Sequence, residues 1–495
     1  MICIAAINCG VVKMDRNGRA VGAVDQIGSF RAGDGLRTEG PFGNRLNMLE
    51  VAVTDDVAMH KTSLFWFNND LRVSDNLALQ QAALRSRHLV CVYCVEPHWF
   101  TPNRYVGHGI GQARWRFLRE SLEGLQRSLA ELGQSLHIIY GDSLSSLVHL
   151  IRQYSVDAVF RSNHSGFYEN QYWLLLQQRF PAVEFQQFHT HTMFRPDELP
   201  FRLYELPTVF SQFRLQVEDM PVRPPLGAVI SLPPPPDQFD HNLQALPAVN
   251  HTGATPFTGG EKSGFLQLEE YFSSDSPAQY KATRDQLDGW QNSSKLSPWL
   301  ANGCISVRQM CAAIKEYEKR NIANQSTYWL HYQLLWREYF HWYAYKNQQK
   351  LFVFRGIKMH KPLASFYPER FQKWCKGETP YPLVNACMKQ LNQTGYMSNR
   401  GRQIVASCLV NELGLDWRYG AAYFEQHLLD YDVAVNWGNW QYIAGVGADP
   451  RGKRHFDIYK QTESCDPEEK FIQKWQGDVA VTELDSIDYN GWPRA

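Results

Sequence analysis

Between Thr62 and Gln187 short apolar runs alternate with stretches of helical spacing, and few folds accept that order. Ser63-Leu-Phe-Trp-Phe, His88–Val95, Leu136–Tyr140 and Asp157–Arg161 are short and rich in apolar, aromatic or β-branched residues, as strands are, and the more polar Val183–Gln187 takes the next strand place in the alternation. Helical spacing fills the intervals: from about Asn76, from Gly111 to Leu132 (Phe117, Leu118, Leu122, Leu125, Leu129), over 143–154 and over 168–179. This alternation predicts an α/β domain with a doubly wound parallel sheet. No Gly-x-Gly-x-x-Gly follows the first strand, so a dinucleotide-binding loop is not supported. Cys91 and Cys94 form a Cys-x-x-Cys, but inside a strand-like run, where two buried thiols are expected rather than a redox or metal pair.

The pattern then changes twice. Residues 190–262 hold Pro221, Pro224, Pro225 and the run Pro233–Pro236, and read as a long connector with one short helix near Val209–Val217. From about Gly264 to Trp475 the spacing of Trp, Tyr and Leu is helical, which predicts an all-α domain. The expected organisation is an N-terminal extension over 1–60, the α/β domain over 61–190, the connector over 191–262, the helical domain over 263–475 and an acidic tail over 476–495. Residues 1–60 are Gly-rich and poorly periodic, and Met59 stands just before the first convincing strand. Lys+Arg and Asp+Glu balance at 50 each, so a polyanion site must be a local patch. The ten Cys are scattered, and neither a secretory signal nor a long apolar run is visible. A soluble, cytoplasmic protein without membrane contact is expected.

Within the helical region, Gly395–Trp440 carries polar residues where a bundle wants apolar ones. Arg400 and Arg402 follow Asn399, and Asp430 and Asp432 run into Asn436-Trp-Gly-Asn-Trp. Charge, amide and indole at this density are costly to bury unless a ligand meets them, which suggests the wall of a large cofactor pocket. Three further motifs point the same way. Tyr280 precedes Ser293, Ser294, Lys295, Leu296 and Ser297, a hydroxyl-rich stretch before a helix start near Pro298 that suits phosphate, although taken alone an ordinary N-cap is the commoner role for such serines. Gln333, Trp336 and Arg337 lie within about one helical turn, so two of them can face one cavity, although taken alone the stretch reads first as a core aromatic helix. Lys346, Lys350, Arg355, Lys358, Lys361, Arg370 and Lys373 form a basic run that suits phosphates or a solvated face.

Together these motifs resemble the photolyase/cryptochrome family over about residues 62–475, with the DASH branch closest. The residues that carry the resemblance are Thr327-Tyr-Trp-Leu, Ser398-Asn-Arg-Gly-Arg-Gln, Leu415-Asp-Trp-Arg, Asp430-Tyr-Asp-Val, Asn436-Trp-Gly-Asn-Trp and the run from Gly445 to Phe456. In the first domain they are Asn69-Asp-Leu-Arg and Asp75-Asn, and in the connector Asp197-Glu-Leu-Pro-Phe and Thr208-Val-Phe-Ser-Gln-Phe-Arg. The resemblance implies a U-shaped FAD, with Tyr280, Ser293, Ser294, Lys295, Leu296 and Ser297 at its phosphates. It places Arg337 and Asp432 among the cofactor contacts, Arg402 with Asp430 beside the isoalloxazine, and Asn436 at flavin N5. It implies light-driven repair of cyclobutane pyrimidine dimers, preferentially in single-stranded DNA. The lesion pocket would be Gln333, Trp336, Asn399, Gln403 and Tyr442, with Trp336 stacked on the dimer. The family usually has Glu where Gln333 stands.

Trp440 and Trp417 match the first two members of a photoreduction chain. The outer member aligns with Ala364, and Phe366, Tyr367 and Trp374 are the alternatives near it. The first domain would hold an antenna, 5,10-methenyltetrahydrofolate, with Glu169 as its contact. A helix-terminal role accounts for Glu169 equally well. The protein is expected to be a monomer. A blue-light receptor with little repair, acting on a signalling protein or RNA, is the second reading, and a flavin-free nucleic-acid-binding protein the third.

Overall fold

The computed structural model describes residues 59–478, apart from 238, 240–244, 251, 252, 254, 366, 451 and 453. The expected N-terminal extension, up to residue 58, and the tail beyond 478 lie outside the described residues.

The first domain is a five-stranded sheet of β1 (His60–Phe67), β2 (Ser86–Val95), β3 (Leu136–Tyr140), β4 (Ala158–Ser162) and β5 (Glu184–Phe188), in the order β3-β2-β1-β4-β5. Every pairing is parallel, with Trp66 opposite Val92 on one side and Arg161 on the other. The crossover helices are α1 (Leu77–Arg85), α2 (Gln112–Glu131), α3 (Ser143–Gln153) and α4 (Phe167–Arg179). The first strand begins at His60, so it takes in the last residue assigned to the extension. Cys91 and Cys94 are buried in β2, and burial pushes the Cys94 thiol up to about 12 and the Cys91 thiol higher still. Neither is a thiolate at neutral pH, as expected for strand thiols.

Strand order reverses around β1, whose neighbours are β2 and β4. In such sheets the crevice at the carboxyl ends of the strands beside the reversal is where ligands bind. A cavity with about 1800 Å3 of empty space lies there, lined by Trp66, Phe67, Asn68, Tyr93, Glu96 and residues of the helical domain.

The connector keeps a short helix, α5 (Phe210–Val217), and its proline run lies along the α/β domain, where the Pro234 carbonyl accepts from Leu89 N at 3.0 Å. The helical domain runs from α6 (Glu261–Phe272) through α7 (Ser276–Thr283), α8 (Ser297–Ala301), α9 (Val307–Arg320) and α10 (Gln325–Asn347). Then come α11 (Pro368–Lys376), α12 (Pro382–Thr394), α13 (Asn399–Ser407), α14 (Trp417–His427), α15 (Val433–Ile443), α16 (Ile458–Cys465) and α17 (Lys470–Lys474). A π-helical turn, Cys408–Glu412, extends α13. All of α15 is buried, and so is nearly all of α10 from Tyr332 to Ala344. A helix apolar and buried on every side belongs to the centre of a domain, so these two form the core around which the rest packs.

The two domains meet through buried charge. Asp75, in the left-handed region at φ 48°, accepts from Arg308 Nη2 at 2.6 Å and Nε at 3.1 Å, and neither side chain reaches water. Arg72 donates to the carbonyls of Gly303, Asp75 and Thr190. Gly303 sits at φ 69°, and a Cβ there would fall 1.6 Å from the Asn69 carbonyl oxygen, so only glycine allows this approach. Removing one partner of a buried pair strands the other. Arg308→Met is expected to lower the unfolding free energy by about 3–5 kcal/mol, measured by urea denaturation, whereas surface Lys319→Met should change it little.

Candidate functional site

The site begins in the loop before α8. Lys295 is left-handed at φ 56°, and Gln267 Nε2 donates to the Ser294 carbonyl at 2.9 Å, which pins the loop. Tyr280, Ser293, Lys295, Ser297, Asn399, Arg402 and Asp430 all line one cavity with about 490 Å3 of empty space. Ser294 and Leu296 stand behind its wall, both wholly buried. The helix expected to complete a phosphate cradle has only five residues, too few to carry a useful dipole. What remains for an anion is the Lys295 ammonium and the hydroxyls of Ser293 and Ser297. Lys295 Nζ donates to Tyr396 OH at 3.3 Å, and Tyr396 is a lining residue the sequence motifs had not singled out.

Ser297 also lines a second, smaller cavity with Leu300, Gln333, Arg337, Asp432 and Val435. On the wall of the first cavity, Arg402 Nη2 donates to Asp430 at 2.9 Å and Arg402 Nε to the Met397 carbonyl at 2.9 Å. Asp432 caps α15, accepting from Val435 N at 3.0 Å, and its other oxygen accepts from His341 Nε2 at 2.9 Å. Arg337 stands 3.8 Å from the same oxygen and donates to the His191 carbonyl at 2.6 Å. Burial works to raise the Asp432 pKa, but His341 and Arg337 overcome it and hold the carboxyl well below the usual range. Burial lowers His341 despite Asp432, so the imidazole is neutral and donates.

Asn436 has no exposure, and its Nδ2 donates to the Ala421 carbonyl at 2.9 Å. That bond orients the amide so that Oδ1 is what it presents, and Oδ1 finds no partner among the described residues. Both side-chain polar atoms of Gln333, Arg402 Nη1, Asn399 Oδ1, His341 Nδ1 and Trp440 Nε1 are likewise buried without a partner. Each such group costs about 1–3 kcal/mol unless a ligand or water meets it. Of these residues Gln333, Asn399 and Arg402 line the two cavities, and the open polar groups there fit a polar cofactor with ring heteroatoms and phosphates.

The remaining motif residues sit on the far side. Trp336 packs flat against Phe210 of α5, with ring centroids 3.6 Å apart and planes 10° from parallel. Phe340 is also stacked on it at 5.7 Å and Tyr442 meets it edge-on at 5.8 Å. Phe210 therefore covers one face of the indole that the resemblance assigns to a base, leaving at most the other. The Thr208-Val-Phe-Ser-Gln-Phe-Arg motif contained this signal, but not what the Phe would touch. Gln403 is wholly buried beside them, and Tyr442 OH accepts from Arg454, whose guanidinium lies 4.7 Å over the Tyr442 ring.

Trp440 is wholly buried, and its ring neighbours are Phe424 at 5.2 Å and Trp374 at 6.3 Å. Gly420 makes room for it, since a Cβ there would lie 2.2 Å from the indole. Trp417 donates Nε1 to the Phe354 carbonyl at 3.1 Å and packs 5.8 Å from Trp437. Trp374 is wholly buried and so cannot be an exit to solvent. Tyr367 is exposed, beneath the Arg370 guanidinium at 4.1 Å, and Phe366 lies outside the described residues. Glu169 lines the large interdomain cavity, 3.8 Å from His164 Nδ1, with Glu425 and Tyr431 among the other lining residues. The basic run is partly structural, because Lys346, Lys358 and Arg370 donate to the carbonyls of Leu206, Asp449 and Leu413.

A parallel α/β domain joined to a helical domain with such a pocket defines a class of two-domain flavoproteins. Residues 329–490 match the FAD binding domain of DNA photolyase, and residues 63–231 match DNA photolyase. The cryptochrome DASH of Idiomarina loihiensis is 51% identical over 440 residues, which is 88% of this chain and 97% of the relative. That of Vibrio parahaemolyticus is 47% identical, with the same shares covered. The crystal structure of a Synechocystis cryptochrome superposes with a TM-score of 0.80 at 34% identity, covering 88% of this chain and 96% of the other. A class III photolyase from Agrobacterium tumefaciens gives 0.72 at 25% identity, covering 89% and 95%. The chain belongs to the photolyase/cryptochrome family, in its cryptochrome DASH branch, and its helical domain is of the FAD-binding kind. Among the described residues no helix is long and apolar enough to cross a membrane.

The Asp432 shift gives a pH signature. A carboxyl depressed on folding contributes stability that is complete above its unfolded pKa and lost as pH falls toward the folded value. Asp432→Asn is expected to cost about 1–3 kcal/mol near neutrality. That difference from wild type should shrink below about pH 4, as read from urea unfolding across the acid range.

Proposed function

We propose that this protein repairs cyclobutane pyrimidine dimers, preferentially in single-stranded DNA, by blue-light-driven electron transfer from reduced FAD. The observation that carries the reading is Gln333, whose amide is buried with neither polar atom satisfied, three residues before Trp336 and in the wall of the smaller cavity. Lys295, Ser293 and Ser297 would hold the FAD phosphates, Arg402 and Asp430 the ring system, and Asn436 Oδ1 would accept a hydrogen bond at N5. Bound there, reduced FAD supplies the electron that opens the dimer.

The chain does the rest by binding and placement. A dimer must leave the base stack to be reached, which costs least in a single strand. Exposed Lys350, Arg355 and Lys361 offer cations to the strand's phosphates. Gln333 Nε2 would donate to a dimer carbonyl and stabilise the negative charge that develops on it, and Trp336 and Tyr442 would shield the pocket from water. For the interdomain cavity we propose 5,10-methenyltetrahydrofolate, whose cationic bridge suits a cavity lined by Glu169 and Glu425. A blue-light receptor is the second reading, favoured only by Gln333 standing where the family has an acid.

The deciding experiment is light-dependent repair by the purified, reduced holoprotein on single- and double-stranded oligonucleotides carrying one dimer. Faster repair of the single strand is expected, and light-driven flavin reduction without repair would favour the receptor. Burial at position 333 would hold a carboxyl protonated, able to donate and to transfer a proton. Gln333→Glu is therefore expected to raise the quantum yield of repair, and an unchanged yield would count against the assignment. Trp440→Phe should abolish flavin photoreduction in blue light, measured by absorbance.

A further inference from the structure

Four indoles lie around the proposed electron path, and their Nε1–H partners differ. Trp374 donates to the Val405 carbonyl and Trp417 to the Phe354 carbonyl, while Trp440 finds no partner. Trp437 alone of the four donates to a carboxylate, Glu425 Oε2 at 3.1 Å, with Tyr431 OH 3.3 Å away. Trp437 is 5.8 Å from Trp417, edge to face, and shares α15 with Trp440 three residues on. Asn436-Trp-Gly-Asn-Trp thus contains two tryptophans, and the proposed function uses only the second.

One-electron oxidation makes the indole N–H far more acidic, comparable to a carboxylic acid. A backbone carbonyl cannot take its proton, whereas a carboxylate can. We propose that Trp437 is the resting place of the oxidising equivalent during photoreduction, with Glu425 as the acceptor of its proton. The proposal rests on the flavin-dependent reading above. The oxidant is light-excited FAD in its oxidised form, acting through Trp440 and Trp417. One electron passes from Trp437 to oxidised Trp417, and the Nε1 proton passes to Glu425 Oε2. The products are a restored Trp417, a neutral Trp437 radical and a neutral carboxylic acid. Return of the electron then requires the proton to come back, which slows recombination.

The surroundings of Glu425 suit this role. Its carboxylate is held by Trp437 and by the Tyr431 hydroxyl. Arg114 donates to the Glu425 backbone carbonyl and lies 4.6 Å over the Tyr431 ring. Burial raises the carboxyl above its usual value, and Arg114, Tyr431 and Trp437 pull it back, so it is a stronger base than an exposed Glu yet well supplied with donors. This arrangement also answers Ala364, the position where this chain lacks the outer tryptophan of the family's pattern, because a proton trap inside the fold replaces an exit to solvent.

The test is transient absorption and pulsed electron paramagnetic resonance of the oxidised FAD holoprotein after a blue flash. The wild type should end in a neutral tryptophan radical whose recombination slows in D2O. Trp437→Phe should shorten the lifetime of the radical state roughly tenfold or more and remove the neutral-radical signature. Glu425→Gln, nearly isosteric, should leave the radical cationic and abolish the D2O effect. Retained flavin absorbance and circular dichroism confirm that each variant is folded. A neutral radical of unchanged lifetime in both variants would overturn the proposal alone. No radical in wild type would overturn it together with the reading it rests on.

Discussion

Asp432 ties together everything that gives this site its shape. One carboxylate oxygen caps α15, and the other receives His341 from α10, with Arg337 reaching in from the same helix. Arg337 in turn holds the carbonyl of His191 in the connector. Three segments distant in sequence are thus fixed to one buried charge, whose desolvation is offset only because its partners are all in place. The register of α15 follows from that cap, and with it the positions of Asn436, Trp437, Trp440 and Tyr442.

The second constraint is the seam between domains. Asp75 with Arg308, and Arg72 with the Gly303 carbonyl, bring the reversal point of the parallel sheet against the helical domain. The crevice a doubly wound sheet offers at that point is therefore not open to solvent on all sides. Its lining includes Val433 in the first turn of α15 as well as Trp66 and Phe67 of β1. A chromophore held there would be separated from the α15 indoles by side-chain layers rather than by water. The buried Glu425 belongs to both regions, since it lines that cavity and accepts from Trp437.

Much of the fold was legible because the inner strands β1, β2 and β4 are near-continuous apolar runs, as buried parallel strands must be, while the polar edge strand β5 was placed by the alternation. Leu136–Tyr140 falls where the pattern put it, and β4 and β5 are displaced by one residue. Short-range pattern also located α5 and the helical domain. Long-range packing stayed hidden. Nothing local says that Phe210 lies on Trp336, that Trp374 has no access to solvent, or that the Asn436 amide is turned by the Ala421 carbonyl. Spacing suggested a helix dipole behind Ser297, but Gly303 and the seam stop α8 after five residues. His341 and Glu425 escaped notice because a lone ionisable residue in an aromatic helix carries no pattern, and its role exists only once its partner arrives from another element.

Where local rules fail together, function is the usual reason. Gln333 stands in the middle of a long buried helix, a place that stability alone would give to Leu or Met, and neither of its polar atoms is satisfied. Asn436 Oδ1, His341 Nδ1 and Arg402 Nη1 repeat the pattern on neighbouring elements. Scattered singly, such groups would be a tolerable defect. Here Gln333 and Arg402 line adjoining cavities that share Ser297, and with Asn436 and His341 on neighbouring elements they make a set of donors and acceptors whose cost falls when a ligand or water meets them. Any ligand that does so binds the folded chain and not the unfolded one, so occupancy and stability are linked. The polar helical core is consequently a fold completed by what it binds, and the same side chains that weaken the bare chain make the bound ring specific.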